Sequence, residues 1–163
     1  MARYALRTLS GWLALTAILT SCSTSATTNP ATQSLMSQMG GMGSVSKLAQ
    51  DFLGTSVADP RLSGLMGAGD LVYAQPKLRD QLCFLLGGPC TAALSPNQIQ
   101  GGAANVTPTQ AQALDQNLSS SVGGMGLSSP VQGAVVQTVS PSLPGIVGAL
   151  FTVPRGPTGL MGR

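Results

Sequence analysis

The sequence predicts an all-α fold, one helical domain over residues 35–148 with the character of a shortened helical sandwich. Three observations carry that expectation. Apolar residues recur at spacings of three and four, placing them on one face of a helix, and no run alternates as a half-buried strand would. Glycines, prolines and capping residues punctuate the chain at helix-sized intervals. The connections they leave are short, as between the helices of a bundle. A length of 163 residues with 43% apolar residues suits one domain, and 4% aromatics with 21 glycines makes its core one of small side chains.

Each element follows from its own residues. Over 45–57, Val45, Leu48, Phe52 and Leu53 share one face, with Gly40-Gly41 before and Asp59-Pro60 as the stop. A turn over 60–66 leads to Asp70, a predicted cap. From Leu71 to Leu86 the stripe Leu71, Leu78, Leu82, Leu85 and Leu86 faces inward, while Lys77, Arg79, Asp80 and Gln81 cover the other side. Gly87-Gly88-Pro89 ends this helix, because glycine takes the left-handed cap and proline cannot continue. Ser95-Pro96 opens a short helix that Gly101-Gly102 is expected to weaken. Thr107-Pro108-Thr109-Gln110 is a capping-box start for a helix carrying Ala111, Leu114, Leu118 and Val122 to Gly123-Gly124. Ser129-Pro130 opens the last helix, with Val131, Val135 and Val139, and Pro141 and Pro144 bend or end it. Residues 149–163 read as a loose tail.

Residues 1–21 read as an export signal: Arg3 and Arg7 supply a positive start, and an apolar run over 11–19 is too short to span a bilayer. The run ends in Leu19-Thr20-Ser21-Cys22, which resembles a bacterial lipobox with Cys22 as the lipidated residue. Residues 22–34 are Ser/Thr/Asn/Ala-rich and suit a flexible tether. Ser23 after the cysteine points to the outer membrane, with the domain facing the periplasm. Without Arg3 and Arg7 the chain keeps six Lys/Arg against five Asp, so no clustered basic footprint for nucleic acid remains. In an oxidising periplasm Cys83 and Cys90, on either side of the Gly-Gly-Pro turn, are candidates for a disulfide; two buried free thiols are the alternative.

The chain holds no His and no Glu, and its only acids are five Asp. That composition speaks against hydrolytic chemistry and against zinc, which lean on imidazole or clustered carboxylates. Tyr73, Ser95 or an Asp has no partner to activate it, so no enzymatic activity is expected. Met36, Met39 and Met42 form a thioether series that suits Cu(I), and the same spacing also suits core packing. A leucine-rich, weakly charged chain also invites self-association.

One set of motifs in order resembles a known family. Asp59-Pro60-Arg61-Leu62 is followed, after a helix-length interval, by Leu82-Cys83 and then Gly87-Gly88-Pro89. Upstream lie Leu35 to Gly41 and the helix from Val45 to Phe52; downstream lie Val106-Thr107, Gly126-Leu127 and the stretch 134–147. Together they resemble the group I truncated haemoglobins, over residues 35–147 without a gap. The resemblance implies a haem pocket at Phe52, Leu53, Leu78, Leu82, Leu86 and Leu94, and oxygen binding.

The departures fall at the chemistry. The position of the family's proximal histidine is Gly101, and no histidine exists elsewhere to bind haem iron. The tyrosine that would donate to bound oxygen is Leu53, and the distal positions are Leu78 and Leu82. The paired aromatics after the Asp-Pro-Arg-Leu turn are Leu65-Met66, and the segment after Gly-Gly-Pro is Thr91 to Leu94. The expectation is a membrane-anchored globin-like module without haem, binding a protein or a small apolar ligand. Two alternatives stand beside it: haem and oxygen binding through a non-histidine ligand such as Met66, Met42 or Met125, and the Cu(I) cluster.

Overall fold

The computed structural model describes residues 34–67 and 70–152. Helices α1 (Leu35–Gln38), α2 (Met42–Ala58), α3 (Leu71–Leu85), α4 (Pro96–Ala103), α5 (Pro108–Gly123), α6 (Ser129–Val139) and α7 (Leu143–Thr152) follow in order, and the described residues contain no strand. Short 3-10 turns sit at Pro60–Leu62 and Ser140–Ser142. The signal, Cys22 and most of the tether lie outside the described residues, as does the chain after Thr152.

Helix α2 is the centre of the packing: it lies against α3 on one side and α5 on the other, α5 continues onto α6 and α7, and α4 lies along α7. The inward stripes are those the periodicity selects. Val45, Leu48, Phe52 and Leu53 of α2, Leu78 and Leu82 of α3, Leu114, Leu118 and Val122 of α5, and Val135 and Val139 of α6 are all buried in one cluster. At about 25 cal/mol per Å² of apolar surface removed from water, each leucine contributes roughly 1.5–3 kcal/mol.

The punctuation works chemically. Thr107 Oγ1 accepts from Gln110 N at 3.3 Å while Gln110 Oε1 accepts from Thr107 N at 2.9 Å, a reciprocal box at the head of α5. Ser95 and Gln98 make the same box for α4, which is a full eight-residue helix despite its two glycines. Gly87 ends α3 at φ 77°, a conformation that favours glycine.

Four expectations are corrected. Gln81 is not on the solvent side: it is 2% exposed, and its Oε1 accepts a hydrogen bond from Leu94 N at 3.0 Å. Leu85 is half-buried at the edge of the stripe. The helix opened at Ser129 ends at Val139 ahead of Pro141, as expected, but it is not the last: a 3-10 turn hands the chain on to α7, which holds Pro144. The loose tail does not start at 149, because residues 149–152 are the last turn of α7 and Ala149 is 5% exposed. The stretch 129–152 is apolar and long enough to cross a bilayer. Val135, Val139, Leu143, Ile146 and Val147 within it are nonetheless core residues of the domain.

Candidate functional site

The positions expected to line a pocket converge. Phe52 and Leu53 come from α2, Leu78, Leu82 and Leu86 from α3 and its cap, and Leu94 from the loop leading to α4; all lie in one cluster and none is more than 6% exposed. That near-absence of accessible surface is informative. A void wide enough for a haem would leave accessible surface on the side chains around it, so these six fill the space with one another. A leucine-lined cavity of that size left open would be costly, and closure avoids the cost.

Helix α4, which carries Gly101, packs directly against α7. An added Cβ on Gly102 would fall within 3.0 Å of the Gly145 carbonyl oxygen and of the Ala149 backbone. One on Gly145 would be 2.6 Å from Ile99 Cγ2, and one on Gly148 would strike the Gly102 backbone. Ile99 thus faces Gly145, Gly102 faces Gly148 and Ala149, and Asn105 Nδ2 donates to Thr152 Oγ1 at 3.1 Å, so the two helices run alongside in the same direction. Only glycine permits backbones this close. Gly101, one residue earlier, is exposed with nothing within 4 Å of its Cβ direction. A side chain there points away from the core.

Sulfur chemistry clusters at the end of α3. Cys83 and Cys90 form a disulfide with Cα atoms 5.8 Å apart, tying the last turn of α3 to the loop that holds Leu94. Met36 Sδ lies 3.6 Å from Cys83 Sγ, a van der Waals contact because an oxidised cysteine has no S–H to donate. Replacing both cysteines by alanine is expected to lower stability by about 2–3 kcal/mol, since so short a loop constrains the unfolded chain modestly. A lower urea midpoint is the readout, with a slope no smaller than the parent's because the unbridged unfolded chain is the more open one.

The methionines are dispersed by environment. Met36 covers the disulfide, Met39 is 3% exposed in the core and Met42 is 37% exposed at the start of α2. Gly40 and Gly41, both at positive φ, break the chain between Met39 and Met42, so the three do not share one helix face. Met66 is buried in the core cluster and Met125 packs at its edge.

The Asp-Pro-Arg-Leu turn is a structural joint. Asp59 accepts from Arg61 N and Nε at 3.0 Å each, from Arg61 Nη2 at 2.7 Å and from Asn117 Nδ2 at 3.2 Å. Arg61 Nη1 also donates to Gln116 Oε1 at 2.8 Å, so the end of α2 is pinned to α5. The Arg61 hydrogen bonds hold the Asp59 carboxyl far below the usual carboxylate range, with Asn117 adding to the effect. A lowered pKa in the folded state stabilises above the unfolded value, near pH 4, and that contribution is lost as pH falls below it. Asp59→Asn is therefore expected to shrink the difference in urea midpoint between pH 7 and pH 3, while lowering the midpoint at pH 7.

A groove that sequence reasoning did not anticipate runs beside the pocket positions. Its volume is about 360 Å³, and Phe84, Leu85, Ala92, Leu94, Ile99 and Ser142 are among the residues that line it. Leucine periodicity concealed it, because Phe84 lies on the outward side of α3 and is 49% exposed. Among the described residues no group of three or more His, Cys, Asp or Glu side chains could hold a metal ion.

Comparison with solved structures settles the architecture. The truncated haemoglobin of Tetrahymena pyriformis, in its Fe(III) form, superposes with a TM-score of 0.61 at 20% identity, over 71% of this chain and 99% of that one. The haemoglobin of the thermophilic phototrophic bacterium Chloroflexus aurantiacus gives 0.58 at 23% identity, over 64% and 89%. The chain has the truncated-haemoglobin fold. No protein-family model and no curated protein matches it. Within this truncated-haemoglobin fold, the residues present do not suit the prosthetic group of the solved neighbours: they supply no imidazole, and the pocket positions are packed against one another.

Proposed function

We propose that this chain is a lipid-anchored, non-catalytic module of the bacterial envelope that keeps the truncated-haemoglobin fold without haem. One observation carries the reading: Gly101, where the proximal ligand would stand, is exposed, while Gly102 beside it seats α4 on α7. The core that replaces the pocket consists of leucines and Phe52, which offer no ligand to iron and no hydrogen bond to a bound gas. The anchor rests on Cys22 and the signal-like residues before it.

Haem titration of the chain from residue 22 onward, carrying Cys22→Ser and a tag without histidine, tests the reading. The expected spectrum is that of free haem in oxidised, reduced and carbon monoxide-treated samples. A saturable one-to-one Soret band, lost on changing one methionine, would overturn it in favour of a thioether-ligated haem protein. Acylation of Cys22 is checked separately, by intact mass of the protein extracted from membranes.

A further inference from the structure

We propose that the outward face of α3, from Tyr73 to Phe84, is the surface the domain lays against a lipid bilayer; the inference rests on the anchored reading above and names the face it uses. Among the described residues the exposed large hydrophobic side chains are Met42, Val72, Tyr73 and Phe84, at 37%, 78%, 71% and 49%, and all but Met42 belong to α3. At 3.6 residues per turn Tyr73, Lys77 and Phe84 fall within an arc of about 40° and span about 16 Å of helix. The opposite side, Ala74, Leu78 and Leu82, is buried, so this amphipathic helix also carries apolar groups on its outer side.

The chemistry of the face suits the interface between headgroups and acyl chains. An aromatic ring with a polar tip prefers that depth, and a lysine between two aromatics can bury its stem while its ammonium lies among the lipid headgroups, shielded from reagent in bulk water. Asp80 lies on the same stripe, but Arg79 Nη2 neutralises it at 2.7 Å. Leu85, Ala92 and Ile99 extend the apolar area from Phe84 into the groove.

The path of the chain selects a bilayer as the occupant. Met36 N donates to the Leu86 carbonyl at 3.0 Å, and a Cβ on Gly87 would lie 3.1 Å from Ser34 Cβ. The segment leading back to Cys22 therefore joins the domain within a turn of Phe84. Fully extended at about 3.3–3.6 Å per residue, it holds that end within about 40 Å of a lipid on Cys22. Tethering makes docking effectively intramolecular, so a weak face suffices.

The protein carries its own probes, because Lys47 and Lys77 are its two lysines. The acylated protein is inserted into preformed phosphatidylethanolamine–phosphatidylglycerol vesicles and treated with a membrane-impermeant amine reagent. The rate at each lysine is read by mass spectrometry. The expected result is a Lys77 rate at least five-fold lower than in the Tyr73→Ser/Phe84→Ser protein on the same vesicles, with Lys47 within two-fold in both. Both substituted side chains are exposed, so the variant keeps its core, and flotation reports that it stays bound. Acylated protein whose Lys77 reacts equally fast in both forms overturns the proposed face and leaves the anchor standing. Protein that carries no acyl mass on Cys22 and does not float removes the anchored reading and the proposal with it. Protection of Lys77 that grows with protein density on the vesicle assigns the face to a second copy of the chain and overturns a lipid partner.

Discussion

Gly102→Ala is expected to cost more than about 3 kcal/mol, enough to unfold much of a marginal domain, while Gly101→Ala raises stability by about 0.5–1 kcal/mol. Two adjacent glycines in one helix thus respond with opposite sign. At Gly102 the new methyl meets the Gly145 carbonyl oxygen and the Ala149 amide, which are backbone atoms of α7 that no rotamer change can move aside. The helices must separate, and Ile99, Ile146 and Val147 lose packing. At Gly101 the methyl meets nothing within 4 Å, so only the usual gain of alanine over glycine in a helix remains. Urea midpoints of both variants beside the parent give the answer. Equal effects at the two sites would show that α4 does not sit on α7 in this register.

The same contact bears on the proposed absence of haem. In a helix successive side chains turn by about 100°, so once Gly102 faces α7 its neighbour Gly101 faces away. With α4 seated on α7, the position aligned with the family's ligand points outward, and the leucines of α2 and α3 pack against one another. Leu94 joins them because Gln81 Oε1 holds its amide and the Cys83–Cys90 bridge shortens the loop before it. On the proposed reading, the outward Gly101 and the packed leucines follow from one helix placement.

The sequence made most of the helices legible, through signals that are local. Stripes such as Val45, Leu48 and Phe52, and boxes such as Thr107 with Gln110, involve residues within a turn or two, so periodicity and capping chemistry reveal them. What stayed hidden depends on residues far apart in the chain. Nothing near Gly101-Gly102 announces that Gly145 and Gly148 lie opposite, so the pair reads as a weakness in α4 when one of its members is the contact. Gln81 reads as surface by type because its partner, the amide of Leu94, is made available only by the turn that follows α3. The pocket positions could be named from ordered motifs, but whether they enclose a void depends on where α4 stands, which no short motif encodes.

Introducing the missing imidazole should not recover haem binding: Gly101→His is expected to give the spectrum of free haem, as the parent does. Position 101 is exposed with nothing within 4 Å of its Cβ direction, so the new ring stands in solvent, whereas Leu78, Leu82 and Leu86 are buried. For haem to enter, these side chains and Phe52 would have to move apart and α4 would have to leave α7, giving up contacts that glycine alone makes possible. Free imidazole added to the parent should fail for the same reason, since it supplies a ligand but no space. The measurement is a haem titration of both proteins in reduced, carbon monoxide-treated form, with the Soret region followed to saturation. A one-to-one complex in Gly101→His alone would mean that the pocket is intact and lacks only its ligand, and that α4 swings inward when given one. A free-haem spectrum in the parent, in the variant and with added imidazole is the result expected of a domain whose leucines and α4 stay packed.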